Sequence, residues 1–240
     1  VYCFVVVRKI EILSLQKSDF TVESGLAGRL MEMGLPMSFQ SCIIAIGGMI
    51  VQSVVNRFGV LFIAGFTATN KLYGLLEVAA TSYGYSMTTY VSQNLGGGSV
   101  KRIKQGVRSG LILGTITSAV IALAMILLGK PILSLFITAT PEEAQTVLGI
   151  AYHYLVIMSV FLPILYLLYV VRSAIQGMGN TFLPLMSGIM ELVMRTGAAL
   201  LLPLLVGQEG VLYAEVLAWI GADIVLIISY FVKIKGLEKP

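Results

Sequence analysis

An all-α membrane protein, built as a six-transmembrane-helix bundle, is the fold class this sequence predicts, and three observations predict it. The first is composition: of 240 residues 57% are hydrophobic and only 12% charged, and the mean hydropathy is +0.91. A soluble domain carries about a quarter of its residues as charges. The second is the number of apolar stretches near the length of about 20 residues that a helix needs to cross a bilayer. The third is the way the basic residues sort to one side of those stretches.

The elements follow in order. Val1 to Val7 is an apolar stub that runs into Arg8 and Lys9. It is too short to span and lacks the order of parts of a signal peptide, so it reads as the end of a preceding helix. With the linker that follows it forms a first segment, 1–33. Within it, Asp19 to Met33 places Leu26, Leu30 and Met33 at helical spacing, which fits an amphipathic helix on the cytoplasmic surface or a solvated linker helix. Residues 34–232 form the six-helix transmembrane lobe, with spans near 35–56, 61–90, 109–128, 150–171, 183–205 and 211–232. Residues 233–240 are a cytoplasmic tail. Thr140-Pro141-Glu142-Glu143 has the pattern of a capping box with proline at the first helical position, so the fourth helix starts there. Pro163 and Pro203 fall inside spans, where proline kinks a helix and frees a carbonyl.

Six spans put both ends on one side. Twelve basic residues fall on that side: four each in the N-terminal arm and the 96–108 loop, Arg172, and three in the tail. The opposite loops hold Arg57 and Lys130. This bias predicts a multi-pass protein of the cell membrane with both ends cytoplasmic. The same dispersal excludes nucleic acid as a partner, since no basic patch interleaves with aromatics. Cys3 and Cys42 make neither a disulfide nor a metal framework. One histidine and no H-E-x-x-H pattern argue against an enzyme, and no repeated filter motif suggests a channel. His153, between Tyr152 and Tyr154, fits an aromatic belt at the outer end of its helix.

Three stretches resemble the multidrug and toxic compound extrusion (MATE) family. They are Gly34-Leu35-Pro36 followed by Gln40; Val91-Ser92-Gln93-Asn94-Leu95-Gly96-Gly97-Gly98 followed by Lys101-Arg102-Ile103; and Arg172-Ser173-Ala174-Ile175-Gln176-Gly177-Met178-Gly179-Asn180-Thr181. The glycines suit sharp helix ends before cytoplasmic turns. Neither lies between a strand and a helix, as a phosphate cradle would require. Helix order and loop lengths are similar over residues 30–240. The resemblance implies one lobe of a MATE-type fold, helices seven to twelve of a twelve-helix transporter, with an N-terminal six-helix lobe as the missing partner. It implies secondary active efflux of cationic or amphipathic compounds by proton or sodium antiport, with no cofactor beyond the coupling ion. The alternative within the same superfamily is a flippase for lipid-linked oligosaccharides, which would want more basic residues on the cavity than Lys71 and Arg195.

An ionisable group at bilayer depth needs a partner or a water-filled cavity. Lys71, Glu77, Glu191, Arg195, Glu215 and Asp223 all lie within spans. Glu191 and Arg195 are four apart and share a helix face. They form either an orienting ion pair or a site where Glu191 exchanges Arg195 for a proton or sodium ion. Glu77 has no partner at helical spacing, which makes it either a coupling acid or the partner of a cation on another helix. Asp223 falls near mid-membrane, about 12 Å along the axis from Glu215, and Glu215 fits the outer interface. The candidates for cation or proton coupling are therefore Glu77, Glu191, Arg195 and Asp223. For the substrate cavity they are Gln40, Asn56, Asn70 and Tyr73, by hydrogen bonding and cation–π contact; ordinary interhelical packing explains these four equally well.

Overall fold

The computed structural model describes residue 6 and residues 24–238 apart from residue 139, and every element among them is helical. The apolar stub and most of the linker lie outside the described residues. The chain divides into two compact units, Val1–Leu35 and Pro36–Pro240. In the first, residues 24–35 are helical, with Leu26, Leu30 and Met33 exposed. The second is the helical bundle.

Seven α-helices carry the chain: α1 (Ser24–Val55), α2 (Val60–Gly96), α3 (Val100–Ser134), α4 (Pro141–Val160), α5 (Leu162–Gly177), α6 (Phe182–Val206) and α7 (Ala214–Leu237). A 3-10 helix, Gly207–Tyr213, joins α6 to α7. Each expected span lies within one helix except the fourth and the sixth. The fourth is bent by 49° between α4 and α5, where Pro163 stands in the first turn of α5 and cannot supply a backbone donor to α4. The sixth begins in the 3-10 turn. By length and apolarity alone Gly25–Val55, Val100–Ser134 and Phe182–Leu237 qualify as membrane spans, and the bent α4–α5 pair is a fourth. Phe182–Leu237 is a hairpin rather than one rod: α6 and α7 pack along each other. Gly207 reverses the chain at a φ of +71°, and Gly210 lies against the backbone of Leu202 and Pro203 so closely that a Cβ would sit 2.6 Å from the Leu202 carbonyl carbon. Helix α2 is the most polar span because it carries Lys71, Asn70 and Glu77.

Helix α5 is the centre of the bundle. It packs on α2, α3 and α7, and eleven of its sixteen residues are buried, the pattern of a helix that meets protein on most of its surface. On α3 the small residues Gly106, Gly110, Gly114, Ser118 and Ala122 recur every fourth position, the small-residue spacing by which membrane helices approach closely. A Cβ at Gly110 would lie 2.3 Å from the Met87 methyl on α2. Tyr154 is fully buried and stacks on Phe66 with ring centroids 5.0 Å apart. It therefore belongs to the core, while His153 beside it is exposed.

The helix ends explain the glycine motifs. Helix α2 stops where Gly98 takes a φ of +68°, and α5 stops at Gly179 with +74°; the left-handed region favours glycine. Asn180 Oδ1 accepts the Leu183 N–H and starts α6. Helix α4 begins at Pro141 as the sequence predicts. The reciprocal capping bonds are replaced there by one side-chain bond, Thr140 Oγ1 donating to Glu143 Oε2 at 2.8 Å. Lys104 pairs with Glu238, which ties the start of α3 to the end of α7.

The loop assignments of the basic residues need correction: α3 already begins at Val100, so Lys101, Arg102, Lys104, Arg108 and Lys130 are exposed helix residues. Arg172 is no loop residue, because α5 continues to Gly177 and buries it at 7% exposure. The basic bias falls to eleven against two and keeps its sign. Cysteine accessibility checks the orientation, in a chain whose Cys3 and Cys42 are first replaced by serine. A cysteine at Gly207 is expected to label from outside intact cells and one at Ser99 only after permeabilisation; labelling of Ser99 from outside would invert the topology.

Candidate functional site

Helices α1, α2, α5, α6 and α7 enclose a cavity of about 240 Å³ lined by three carboxyl groups, Glu77, Glu191 and Glu215, and two guanidinium groups, Arg172 and Arg195. The i, i+4 spacing brings Glu191 and Arg195 together: Arg195 Nη2 donates to Glu191 Oε1 at 2.8 Å. The second oxygen of Glu191 accepts from Arg172 Nη2 on α5 at 2.7 Å. Arg195 also reaches Glu215 Oε2 on α7 at 2.7 Å and the Ile44 carbonyl on α1 at 3.1 Å. That last contact depends on Gly47, where a Cβ would press to 3.2 Å on the Arg195 side chain. Four helices are thus tied through two arginines and two glutamates. Such an arrangement persists in low dielectric only when each charge finds partners.

Glu77 stands apart from this chain of ion pairs. Its Oε1 accepts a hydrogen bond of 2.6 Å from the Tyr169 hydroxyl on α5, and no basic group pairs with it among the described residues. The cavity therefore holds one carboxyl group more than it holds guanidinium groups, and the surplus carboxyl is Glu77. Tyr73 and Asn70 share its wall, one and two turns away on α2. Tyr73 also stacks on Trp219 of α7, with ring centroids 5.9 Å apart.

A second cavity of about 410 Å³ adjoins the first and shares Ile44, Tyr169 and Arg172 with it. Its remaining polar lining is uncharged, from Gln40, Gln176 and the hydroxyls of Ser41, Thr81, Thr88 and Ser173 among others. Here the three sequence stretches meet. Gln176 Nε2 donates to Gln40 Oε1 at 3.5 Å, and Ser92 Oγ donates to the Gly177 carbonyl at 3.2 Å. A Cβ at Gly177 would lie 2.8 Å from the Thr88 carbonyl oxygen, so α2 and α5 touch backbone to backbone beside the cavity.

The structure brings Glu77, Glu191, Arg195, Asn70 and Tyr73 to one cavity and Gln40 to its neighbour. It does not bring Asn56 there: that side chain is exposed at the end of α1 and accepts from Gln52 Nε2 at 2.9 Å. Asp223 is buried at 6% exposure but lines neither cavity. Glu215, expected at the interface, is instead an Arg195 partner, because the 3-10 turn sets the start of α7 against the middle of α6. Lys71 is exposed and lines neither cavity, in keeping with its place six residues from Glu77. Tyr169 and Arg172 are the site residues that sequence reasoning missed. Their i, i+3 spacing on α5 was the available signal.

A family model described as MatE matches residues 36–200, more than half of the chain. Among curated proteins, the probable multidrug resistance protein YoeA of Bacillus subtilis is 28% identical over 109 residues, 45% of this chain and 24% of that protein. YpnP of the same organism is 29% identical over 100 residues, 42% of this chain and 22% of that protein. These matches span about a quarter of the curated relatives' length. A MOP superfamily transporter from Pyrococcus furiosus superposes with a TM-score of 0.88 at 20% identity, over 99% of this chain and 54% of that one. A MATE transporter from Vibrio cholerae superposes with a TM-score of 0.79 at 24% identity, over 88% and 48%. Both solved structures have the fold of this bundle over about half of their own chains. Sequence motifs, helix order and family match agree, and the chain belongs to the MatE family of membrane transporters.

Proposed function

We propose that this chain forms one six-helix wall of a secondary active exporter of cationic or amphipathic compounds, driven by exchange for a proton or sodium ion, in the cell membrane with both ends cytoplasmic. The observation that carries the reading is the carboxyl surplus of the cavity, whose unpaired acid Glu77 is half-buried. Glu191 and Glu215 are neutralised by Arg172 and Arg195, whereas Glu77 meets only a hydroxyl. A carboxyl group held this way at membrane depth attracts a cation or a proton, since an uncompensated charge there is costly. The Bacillus relatives are probable multidrug resistance proteins, which supports the substrate class. A lipid-linked diphosphate would instead need guanidinium groups that are free, and both in this cavity are engaged.

The partner in this reading is a second six-helix lobe, because the matched solved chains are about twice as long as this one. The test compares the chain alone with the complete two-lobe polypeptide in proteoliposomes. The complete polypeptide is expected to move an organic cation against its gradient when a proton or sodium gradient is imposed, and the chain alone to show no gradient-driven efflux. Robust efflux by the chain alone would favour a homodimer. Failure of the complete polypeptide to move any cation would overturn the exporter reading.

A further inference from the structure

Asp223 on α7 is a buried carboxyl group that makes no hydrogen bond among the described residues, and its Oδ1 is fully enclosed without a partner. A buried acid without a partner is strongly disfavoured unless a cation is within reach. The packing of α6 on α7 brings one arginine towards the level of Asp223. The two helices run antiparallel, and Arg195 pairs with Glu215. Eight residues back along α6 and eight residues on along α7, the level of that contact becomes the level of Ser187 and Asp223. The helices remain close on the way, since a Cβ at Gly221 would lie 2.5 Å from Met194. Ser187 is the residue whose hydroxyl stands 3.5 Å from Arg172 Nη2. The Arg172 guanidinium is thus held between Glu191 and the level of Asp223, and its Nε is itself buried without an acceptor. The charges that act on Asp223 through space are those of Arg172 and Glu191.

We propose that Asp223 is a second docking acid for Arg172: when Glu191 takes up a proton or a cation, the Arg172 guanidinium turns from Glu191 to Asp223. Arg195 stays with Glu215 throughout. The exchange converts occupancy of a carboxyl on α6 into a new tie between α5 and α7, and each arginine keeps one buried ion pair. Asp223 is on this account a positioning residue that touches neither cavity. The idea draws on the exporter reading for the use of the switch, but its test needs no transport, so either can fail alone.

The test is the thermal unfolding midpoint of the complete polypeptide in lipid nanodiscs, in a double-mutant cycle. In the wild-type background Asp223→Asn removes an unpaired acid, and the midpoint is expected to stay within a degree or two or to rise. In a Glu191→Gln background, which imitates the protonated acid, Arg172 depends on Asp223. There the same substitution is expected to lower the midpoint by about 5 °C or more beyond the sum of the single effects. A merely structural Asp223 gives the same shift in both backgrounds, and that additive result would overturn the proposal. Should Glu191→Gln fail to fold, Glu191→Met serves the same comparison, because it is of similar length and likewise removes the charge that holds Arg172.

Discussion

Arg195→Ala is expected to abolish most folded protein. The guanidinium serves Glu191, Glu215 and the Ile44 carbonyl at once, and at 4% exposure no solvent replaces it. Its removal leaves Glu215 without a cation and Glu191 with Arg172 alone. Removing one partner of a buried pair costs roughly 3–5 kcal/mol, which is a large part of the stability of most domains. The tie from α6 to α1 goes with it. Folded yield after membrane extraction, followed by monodispersity on size exclusion, is the measurement. A yield near that of wild type would show that the ion-pair chain is dispensable to the fold.

Glu77→Gln is expected to do the opposite: to spare the fold and remove coupled export. Glutamine has nearly the same shape and can still accept the Tyr169 hydroxyl bond, while Glu77 has no ion pair to lose. What disappears is the charge that exchanges a cation or proton. Coupling free energies between sites are typically about 1–3 kcal/mol, or roughly 5–150-fold in affinity. Export driven by an imposed gradient is therefore expected to fall about tenfold or more per folded molecule. The check is initial efflux rate in proteoliposomes under fixed gradients. Together the two substitutions separate a residue that holds helices from one that carries exchangeable charge.

The succession of helices was legible because apolar runs and turn glycines are local signals, although α1 and α3 begin eleven and nine residues before the expected spans. The Glu191–Arg195 pair was legible for the same reason, since spacing on one helix determines it. Arg172 was not, because it opens a stretch that reads as a turn; only the structure shows α5 extending past it to Gly177. Glu215 was misplaced because distance from the helix end measures membrane depth, whereas its partner is set by a 3-10 turn that folds α7 back on α6. Tyr169 gave little signal in an apolar helix, where a tyrosine fits the core equally well. Its hydroxyl acquires meaning only when α5 lies against α2. Asn56 shows the converse: a polar residue at the end of a span resembles a cavity group, yet its exposed side chain accepts from Gln52 of the same helix end.

The central claim is that the cavity's surplus carboxyl, Glu77, exchanges charge during export. The measurement that tests it most directly is gradient-driven efflux of an organic cation by the complete polypeptide, wild type against Glu77→Gln, normalised to folded protein in the membrane. The account predicts equal amounts of folded protein and an efflux about tenfold or more lower in the variant. Wild-type efflux from Glu77→Gln, with the same dependence on the imposed proton or sodium gradient, would contradict it and make Glu77 a structural partner of Tyr169.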